Sequence, residues 1–448
     1  MPEARPADGP VSPLLVAIAL VLAMLTANAA VAVDAVARET FVALSLAHGL
    51  AFLGGAWWVL NRRAATADLA FILAVALLLR MLAMTSGPGL TTDVYRYVWD
   101  GRLTLAGISP YLHVPADAHL AAVRDAAVFP QINQKETAFT IYPPAAQAVF
   151  ALGASLDLVV GTARDAGHNG MKAVMLLAEG VIVLALLRWL DAARLPRERV
   201  LIYAWHPLSI WELAAQAHID AAALALLVLA IGAAIRGRQG AMGAWLAAAT
   251  LVKYFAIVLA PALWRRGDWR AVAAFVLVAA VLYLPHLLIA GPKVIGFLGS
   301  HLDNEGYAAG WGFHPVWLLR EYRLGDMSGR TYAVLAMGLL AILALKTLLA
   351  RRADEIRPRD LVLLAASFIW LTSAHYPWYF AWALPLLVIA PSPAVLAMTL
   401  TCVTLHLPRP PGGITWTEIY AATYWLPLLL LVALSLRARL GGTGRQAR

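Results

Sequence analysis

Long apolar segments separated by short charged loops run through almost the whole 448-residue chain. A helix of roughly 20 apolar residues is long enough to cross the hydrocarbon core of a bilayer. This pattern predicts an all-α fold, a polytopic bundle of transmembrane helices. No stretch is long enough for a separate soluble domain, so we treat residues 1–448 as one integral membrane domain. The clearest apolar segments are 13–33, 41–60, 68–84, 171–187, 221–235, 271–290, 331–349 and 419–436.

The composition supports a membrane protein. The chain is 61% hydrophobic and only 14% charged, whereas soluble proteins carry about 25% charged residues. A formal net charge of +9 would by itself be compatible with nucleic-acid binding. However, the basic residues stand in loops at the ends of the apolar segments, where they anchor helices in the membrane. We therefore expect membrane lipids, and no nucleic acid, among the partners.

Arginine clusters orient the segments, because cytoplasmic loops of membrane proteins carry an excess of Lys and Arg. Placing all the clusters in the cytoplasm also places both termini there, as in a multi-pass protein of the inner (plasma) membrane. Segments 143–163 and 241–263 each lie between loops that this rule puts on one side. We interpret both as re-entrant or broken hairpins, which are tolerated where they line a cavity. The prediction is about 11 to 14 membrane segments, some of them re-entrant. The clusters lie at 62–63, 188–199, 236–238, 265–270, 351–359 and 437–448.

The distribution of histidine is an independent test of this orientation, because histidine does not enter the assignment. The extracytoplasmic loops become 34–40, 85–142, 216–220, 291–330, 373–379 and 406–418. The arginine-rich loops contain no histidine. The histidines in or beside the outer loops are His113, His119, His218, His301, His314, His375 and His406. We infer that the functional polar groups face the extracytoplasmic side.

The first outer loop, residues 85–142, is the longest hydrophilic stretch. Thr91 or Thr92 can cap a helix, and Asp93 in its first turn suits the helix dipole. We therefore predict interfacial helices in this loop and expect the catalytic groups there. The alternative is an ordinary surface helix with ion pairs between neighbouring turns. Helical spacing places four polar residues on one face: Asp93, Arg96, Tyr97 and Asp100.

The residue types in this loop indicate a chemistry. Two carboxylates and two arginines, Arg96 and Arg102, stand beside Tyr and Trp in an otherwise charge-poor protein. Carboxylates can act as general bases, arginines bind phosphate, and aromatic faces suit sugars. A reaction between a membrane-embedded phosphate donor and a hydroxyl acceptor requires this combination at the boundary of lipid and water.

The same residues carry a resemblance to a known family. The segment from Asp93 to Arg102 reads DVYRYVWDGR and continues as AGISPY at 106–111. Here the chain resembles the GT-C superfamily of membrane glycosyltransferases, in particular its bacterial mannosyltransferase-like branch. The resemblance covers about residues 90–385. Further matching motifs, in the family's order, are Tyr142-Pro143-Pro144, Trp205-His206-Pro207-Leu208 with Glu212, His218-Ile219-Asp220, Lys253-Tyr254-Phe255 and Tyr376-Pro377-Trp378-Tyr379.

The resemblance implies a reaction. Members of the superfamily use polyprenyl-phosphate sugars, and an acidic residue of the first outer loop is the catalytic base. Asp93 matches that residue, with Asp100 as the alternative. We expect transfer of a hexose, with mannose the first expectation, to an extracytoplasmic lipid or glycan acceptor by inverting single displacement. Arg96 or Arg102 would hold Asp93 or meet the phosphate. Ser109, His206 and Phe255 depart from the commoner residues of the family, which leaves the sugar and the acceptor open.

Other polar residues are candidates for substrate binding, each beside a structural alternative. Lys253 lies in an apolar run, where a lysine is costly; it either contacts the lipid phosphate or pairs with Glu179 or Glu212. His218 and Asp220 form a second acid–base or phosphate group, or only cap a helix. Cavity contacts are also expected from Tyr97, Tyr142, His314 and His375, the two histidines having an interface role as the alternative.

No motif indicates a cofactor. We find no phosphate-cradling loop and no nucleotide-binding motif, and no spacing predicts a metal site. The rival hypothesis is a secondary transporter or lipid flippase, which would show related halves and charges at the bilayer midplane. The chain shows no obvious repeat, and its acidic residues and histidines gather at one surface. A membrane glycosyltransferase is therefore the preferred hypothesis.

Overall fold

The computed structural model of this chain describes residues 9–62, 66–160, 168–297, 300, 303–350, 352, 355–409 and 413–443. Within these ranges all regular structure is helical, and no strand occurs. The α-helices are α1 (Pro13–Asp34), α2 (Arg38–Asn61), α3 (Thr66–Met84), α4 (Asp93–Leu105), α5 (Pro144–Val160), α6 (Asn169–Ala192), α7 (Leu201–Ala204), α8 (Asp220–Ile235), α9 (Gln239–Val252), α10 (Ala260–Leu263), α11 (Arg270–Ala290), α12 (His314–Glu321), α13 (Gly329–Ala350), α14 (Pro358–Thr372), α15 (Leu384–Ile389), α16 (Pro393–Thr401), α17 (Trp416–Tyr420) and α18 (Leu426–Thr443).

Tighter or wider turns extend several of these helices. Two π-helical turns, Ser209–Ala215 and Ala421–Trp425, precede α8 and α18. The 3₁₀ segments are Ala118–Val123, Phe129–Gln131, Arg197–Val200, Tyr254–Leu259, Gly291–Ile295, Pro377–Ala383 and Cys402–His406.

Seven helices of the described chain are long and apolar enough to cross a membrane. They are α1, α2, α3, α6, α13, the segment Arg270–Ile295 and the segment Trp416–Arg437. An eighth candidate is the π turn Ser209–Ala215 together with α8, which bends by 109°. Five shorter apolar segments accompany them: Pro144–Val159, Gln239–Val252, Tyr254–Leu263, Pro377–Ile389 and Pro393–His406. The structure thus confirms the predicted polytopic helical bundle.

The segment 241–263 folds as a hairpin, in agreement with the re-entrant or broken hairpin that its charge pattern predicts. The side chain of Gln239 accepts a hydrogen bond from the backbone N–H of Arg265 at 2.9 Å and donates one to the carbonyl of Leu263 at 3.4 Å. The start and the end of the segment therefore meet. Lys253, in extended backbone between α9 and Tyr254–Leu259, forms the turn of the hairpin.

The segment 143–163 is described only as far as residue 160. Its helix α5 begins beside the first loop, and its C-terminal part packs against the start of α6. There the carboxylate of Asp157 accepts a hydrogen bond from Gly170 N at 2.7 Å. A Cβ on Gly170 would lie 2.1 Å from the carbonyl oxygen of Gly153. Only glycine permits this close approach of α5 and α6.

The predicted first-loop helix is α4, and it packs deep against α5. A Cβ on Gly101 would lie 2.2 Å from the carbonyl oxygen of Phe150, so the two backbones touch. Seven residues of α4, among them Tyr97 and Asp100, are buried. The polar face inferred from helical spacing is therefore split: only its N-terminal end remains accessible.

A buried ion pair fastens the bundle between α3 and α6. The guanidinium of Arg80 donates to both carboxylate oxygens of Glu179 at 2.8 Å, and both side chains are almost fully buried. Arg80 also donates to the carbonyl of Ala204 at 2.7 Å, and Tyr203 donates to Glu179 at 3.1 Å. A charge in this environment is tolerated only with its partners in place.

We predict that Glu179→Gln lowers the free energy of unfolding by about 3–5 kcal/mol, because it leaves the Arg80 charge buried and unpaired. Thermal unfolding of the detergent-purified protein measures this loss. The control is Asp191→Asn, whose carboxylate pairs with Arg197 at 3.0 Å with both side chains half exposed. That exposed pair should contribute less than about 1 kcal/mol. Equal effects of the two substitutions would contradict the assigned role.

Candidate active site

A cavity of about 1230 Å³ opens at the end of the bundle where α4 begins. Its walls combine the first loop (88–96 and 133–143), the hairpin turn (252–259), the loop 303–313, parts of α13 and α14, and the segments 374–379 and 405–409. The part formed by Tyr254–Leu259, α13 and α14 is apolar, with Val258, Leu259, Ala333, Ala336, Met337, Ala365, Phe368 and Ile369. The charged or titratable lining residues include Arg38, Asp93, Arg96, Lys253, Glu305, Arg330, His375, His406 and Arg409.

Asp93 is the first residue of α4 and lines this cavity with 29% of its side chain exposed. The hydroxyl of Thr91 accepts a hydrogen bond from its backbone N–H at 3.2 Å. The partial positive charge at a helix N-terminus favours a carboxylate there. The chain reaches this position through Gly89, where a Cβ would lie 2.7 Å from the carbonyl oxygen of Val33. The close contact with α1 thus requires glycine.

A buried row of acids and histidines lies behind Asp93. Nδ1 of His218 is 3.9 Å from Oδ2 of Asp93, and its Nε2 is 3.4 Å from Oε2 of Glu212. The other oxygen of Glu212 is 2.8 Å from Nε2 of His406. The ring of His218 stacks on Trp378 at 3.9 Å between centroids. Because Asp93 and His406 both line the cavity, this row of Asp93, His218, Glu212 and His406 begins and ends there.

Lys253 pairs with Asp220, and not with Glu179 or Glu212. Its Nζ is 2.6 Å from Oδ2 of Asp220, whose other oxygen accepts a hydrogen bond from the indole of Trp382 at 2.8 Å. Lys253 Nζ also lies over the ring of Tyr379 at 4.5 Å. The lysine lines the cavity, while Asp220 is fully buried behind it. Asp220 is therefore the ion-pair partner of Lys253. His218, which the sequence analysis grouped with Asp220, contacts Asp93 and Glu212 instead.

The remaining charged residues of α4 differ in position. Arg96 lines the cavity, donates to Asp100 at 2.8 Å and to the carbonyl of Ala138 at 3.0 Å. Asp100 is fully buried beneath it. Arg102 donates to Asp125 at 2.8 Å and is not among the residues that line the cavity. The structure thus brings Asp93 and Arg96 to the cavity and leaves Asp100 and Arg102 outside it.

Tyr142 belongs to the cavity wall, and Tyr97 supports it from behind. The hydroxyl of Tyr142 donates to that of Tyr97 at 3.5 Å, and Tyr97 stacks on Phe150 at 4.7 Å. Burial, together with the nearby carboxylate of Asp93, raises the pKa of Tyr142 well above its usual range. The phenol therefore stays protonated and keeps its ability to donate a hydrogen bond.

His375 lines the cavity beside a second accessible carboxylate. Its Nδ1 is 3.1 Å from Oε2 of Glu305, and its Nε2 donates to the carbonyl of Gly312 at 2.6 Å. Tyr376 donates to the other oxygen of Glu305 at 2.9 Å. Tyr307 stacks on His375 at 4.9 Å. The loop 303–313 thus contributes a carboxylate to the site.

His314 lies outside the cavity walls. It is fully buried, with Nε2 3.1 Å from the carbonyl of Trp370 and its ring stacked on Tyr424 at 4.2 Å. Burial lowers its pKa to about 3, so the ring is neutral. These contacts are those of a packing residue. His301 lies outside the described residues.

Glu212, His406, Glu305 and Trp378 were not among the candidates from the sequence. Glu212 carries a sequence signal, because a carboxylate within an apolar segment is costly and marks a function or a buried pair. His406 is one of the outer-loop histidines, and Trp378 lies in the family-like motif Tyr376-Pro377-Trp378-Tyr379. Nothing local distinguishes Glu305, because its place in the cavity wall depends on the fold of the loop 303–313.

The fold is that of a multi-pass helical membrane protein, and the comparison with known families gives its class as a glycosyltransferase. Residues 10–265 match the family model described as MptA_B family, alpha-(1->6)-mannopyranosyltransferase, N-terminal domain. The match spans more than half of the chain, so the protein belongs to this mannosyltransferase family, which favours a glycosyltransferase over a transporter or flippase. No curated protein and no solved structure gives a significant match.

Proposed function

We propose that the protein transfers mannose from a polyprenyl-phosphate donor to a hydroxyl of an extracytoplasmic lipid or glycan acceptor, in the α-(1→6) linkage that names the family. One observation carries the choice of donor: the charged and the apolar lining residues belong to one continuous cavity. A lipid-linked donor needs cationic groups for its phosphate and an apolar wall for its hydrocarbon chain. A nucleotide-linked donor has no hydrocarbon chain and does not require the apolar wall.

The two parts of the cavity suit the two parts of such a donor. Lys253 and Arg96 present their cations near the cavity end of α4, where a phosphate would be bound. The apolar wall of Tyr254–Leu259, α13 and α14 continues from Lys253 and would hold the first isoprene units. The donor's sugar would then lie between the phosphate site and Asp93.

Asp93 is proposed as the catalytic base. It would take the proton of the acceptor hydroxyl while that oxygen attacks the anomeric carbon, and the bond from this carbon to the phosphate oxygen would break. Polyprenyl phosphate leaves, neutralised by the neighbouring cations. A single displacement inverts the anomeric centre, so an α product requires a β-linked donor. Asp100 is disfavoured as the base, because it is fully buried beneath Arg96.

We propose that His218 holds Asp93 in position and removes its proton after the reaction. Its ring lies between Asp93 and Glu212, at 3.9 and 3.4 Å. With Nε2–H directed at Glu212 and Nδ1 unprotonated, the imidazole can accept the proton from Asp93 after the reaction, which restores the Asp93 carboxylate and leaves an imidazolium beside Glu212. Glu212, held by His406, would fix the ring and its charge.

The cavity is proposed to face the extracytoplasmic side. Helices α6 and α8 begin at the cavity end of the bundle and carry Arg188 and Arg236 at their far ends. The re-entrant hairpin likewise has its turn at Lys253, in the cavity, and its arginines at Arg265 and Arg266 beyond its far end. The positive-inside rule then places the cavity outside.

We predict that Asp93→Asn lowers turnover by about 10²–10⁴-fold, because the amide cannot accept the proton. Donor binding should stay within about twofold. Purified protein, polyprenyl-phosphate mannose and a mannolipid acceptor provide the assay. Asp125→Asn, in the same loop but outside the cavity, should keep full activity. Full turnover of Asp93→Asn combined with an inactive Glu305→Gln would move the base to Glu305 and refute the assignment.

We predict that His218→Gln lowers kcat by at least about tenfold with little change in the KM for donor, since the ring acts on Asp93 and not on the substrate. The pH profile of kcat should change as well, because the proton acceptor for Asp93 is removed. His206→Gln is the matched control: this histidine is also fully buried and bonds Thr399 at 3.1 Å. A loss of activity shared by both variants, with an unchanged pH profile, would reduce His218 to a packing residue.

We predict that a cysteine at Asn133, in the cavity wall, reacts with a membrane-impermeant maleimide added to intact spheroplasts. The experiment starts from Cys402→Ala, which removes the chain's single cysteine. Arg238→Cys, exposed at the opposite end of the bundle, should react only after lysis. The reverse pattern would place the cavity in the cytoplasm.

A further inference from the structure

A cluster of two histidines and one aspartate lies in the first loop, outside the cavity walls. Nδ1 of His113 is 2.8 Å from Oδ2 of Asp117, and Nδ1 of His119 is 2.9 Å from Oδ1 of the same carboxylate. The three ligand atoms all lie within 4.8 Å of one another. We propose that His113, Asp117 and His119 bind one divalent transition-metal ion of the Zn²⁺ class.

The distances suit a metal ion. With bond lengths of about 2.1 Å, neighbouring ligand atoms are about 3.0 Å apart in an octahedral site and about 3.4 Å apart in a tetrahedral site. The observed separations, 2.8 Å from His113 Nδ1 to Oδ2 and 2.9 Å from His119 Nδ1 to Oδ1 of Asp117, differ from these values by about 0.6 Å or less, so each carboxylate oxygen is placed to share an ion with one imidazole. An ion can therefore replace the two shared protons with small rotations of the side chains.

Hydrogen bonds fix the backbone around His113, Asp117 and His119 before any ion binds. Asp117 caps the 3₁₀ segment Ala118–Val123, and its carbonyl accepts a hydrogen bond from Arg124 at 2.6 Å. Arg124 also donates to the carbonyl of Pro115 at 3.3 Å. Ala116 N donates to the carbonyl of Lys135 at 2.9 Å. Little conformational entropy remains to be lost when the ion binds.

The ligand atoms of the cluster, two imidazole nitrogens and a carboxylate, favour one class of metal ion. Imidazole nitrogen favours Zn²⁺ and its neighbours in the first transition series, whereas Ca²⁺ and Mg²⁺ take oxygen ligands. Each oxygen of the Asp117 carboxylate contacts one of the two imidazoles. His119 is 83% exposed, which leaves room for water to complete the coordination.

The position of the cluster gives the ion a structural role. The hydrogen bond from Ala116 to Lys135 joins the cluster to the segment 133–143, whose residues Asn133, Gln134 and Tyr142 line the cavity. A bound ion would stiffen the stretch of the first loop that supports this wall.

The test is metal binding by the full chain, purified in detergent without a polyhistidine tag and freed of metal with a chelator. Zn²⁺ is titrated and bound metal is measured by mass spectrometry; Co²⁺ provides a visible spectrum that reports its ligands. We expect one equivalent of Zn²⁺ and a higher unfolding temperature on binding. His113→Ala, Asp117→Asn and His119→Ala should each weaken binding by at least about tenfold.

Asp117→Asn separates binding from folding, because asparagine retains the helix cap while it loses the charge. The matched control is His286→Ala, a half-buried histidine of α11 outside the cluster, which should bind Zn²⁺ like the wild type. Binding of well under one equivalent by the wild type would overturn the proposal. So would unchanged affinity in His113→Ala/His119→Ala, and the cluster would then be a hydrogen-bonded cap only.

Discussion

The bend of 109° between Ser209–Ala215 and α8 holds the parts of the site together. Where the helix breaks, Gln216 accepts a hydrogen bond from Leu90 N at 3.1 Å, which fixes the chain just before Asp93. The same turn carries His218 to Asp93 and starts α8 with Asp220, the partner of Lys253. A break within an apolar segment is tolerated because its freed polar groups find partners inside the protein.

The charged groups near this bend, Lys253, Glu212 and Asp93, each lie close to a partner inside the protein. These partners determine how each group is oriented and how far it is exposed. Lys253 is paired with Asp220, and the indole N–H of Trp382 donates a hydrogen bond to the same carboxylate. The ammonium therefore faces the cavity with a fixed orientation. Glu212 is held by two histidines, of which His218 reaches Asp93. Asp93 itself is left with 29% exposure, the most accessible member of the row. Within this row, Asp93 is therefore the carboxylate that the cavity exposes most.

Glycine contacts explain how α4 comes to present Asp93. Gly101 lies against the backbone of Phe150, and Gly170 against that of Gly153. Small residues allow helices in membranes to approach until their backbones touch. This packing draws α4 into the protein, so that Asp100 is covered while Asp93, at the N-terminal end, stays open to the cavity. Because the glycines lie in different segments, the approach could not be inferred from α4 alone.

The helical membrane type of the fold, the hairpin at 241–263 and the helix start at Asp93 follow from the sequence, because hydropathy, charge at helix ends and capping act over a few residues. The number of spans does not follow: the sequence predicted about 11 to 14 membrane segments, whereas seven helices of the described chain, or eight with the bent pair, are long and apolar enough to cross a membrane. The partner of Lys253, the burial of Asp100, the separation of Arg102 and His314 from the cavity, and the presence of Glu305 in its wall were decided only by the tertiary structure. These features depend on contacts between distant parts of the chain, as between Lys253 and Asp220, 33 positions apart, and between Tyr376 and Glu305, 71 positions apart. In a uniformly apolar chain, nothing local specifies which of several possible partners neutralises a buried charge; the packing of the helices makes that choice.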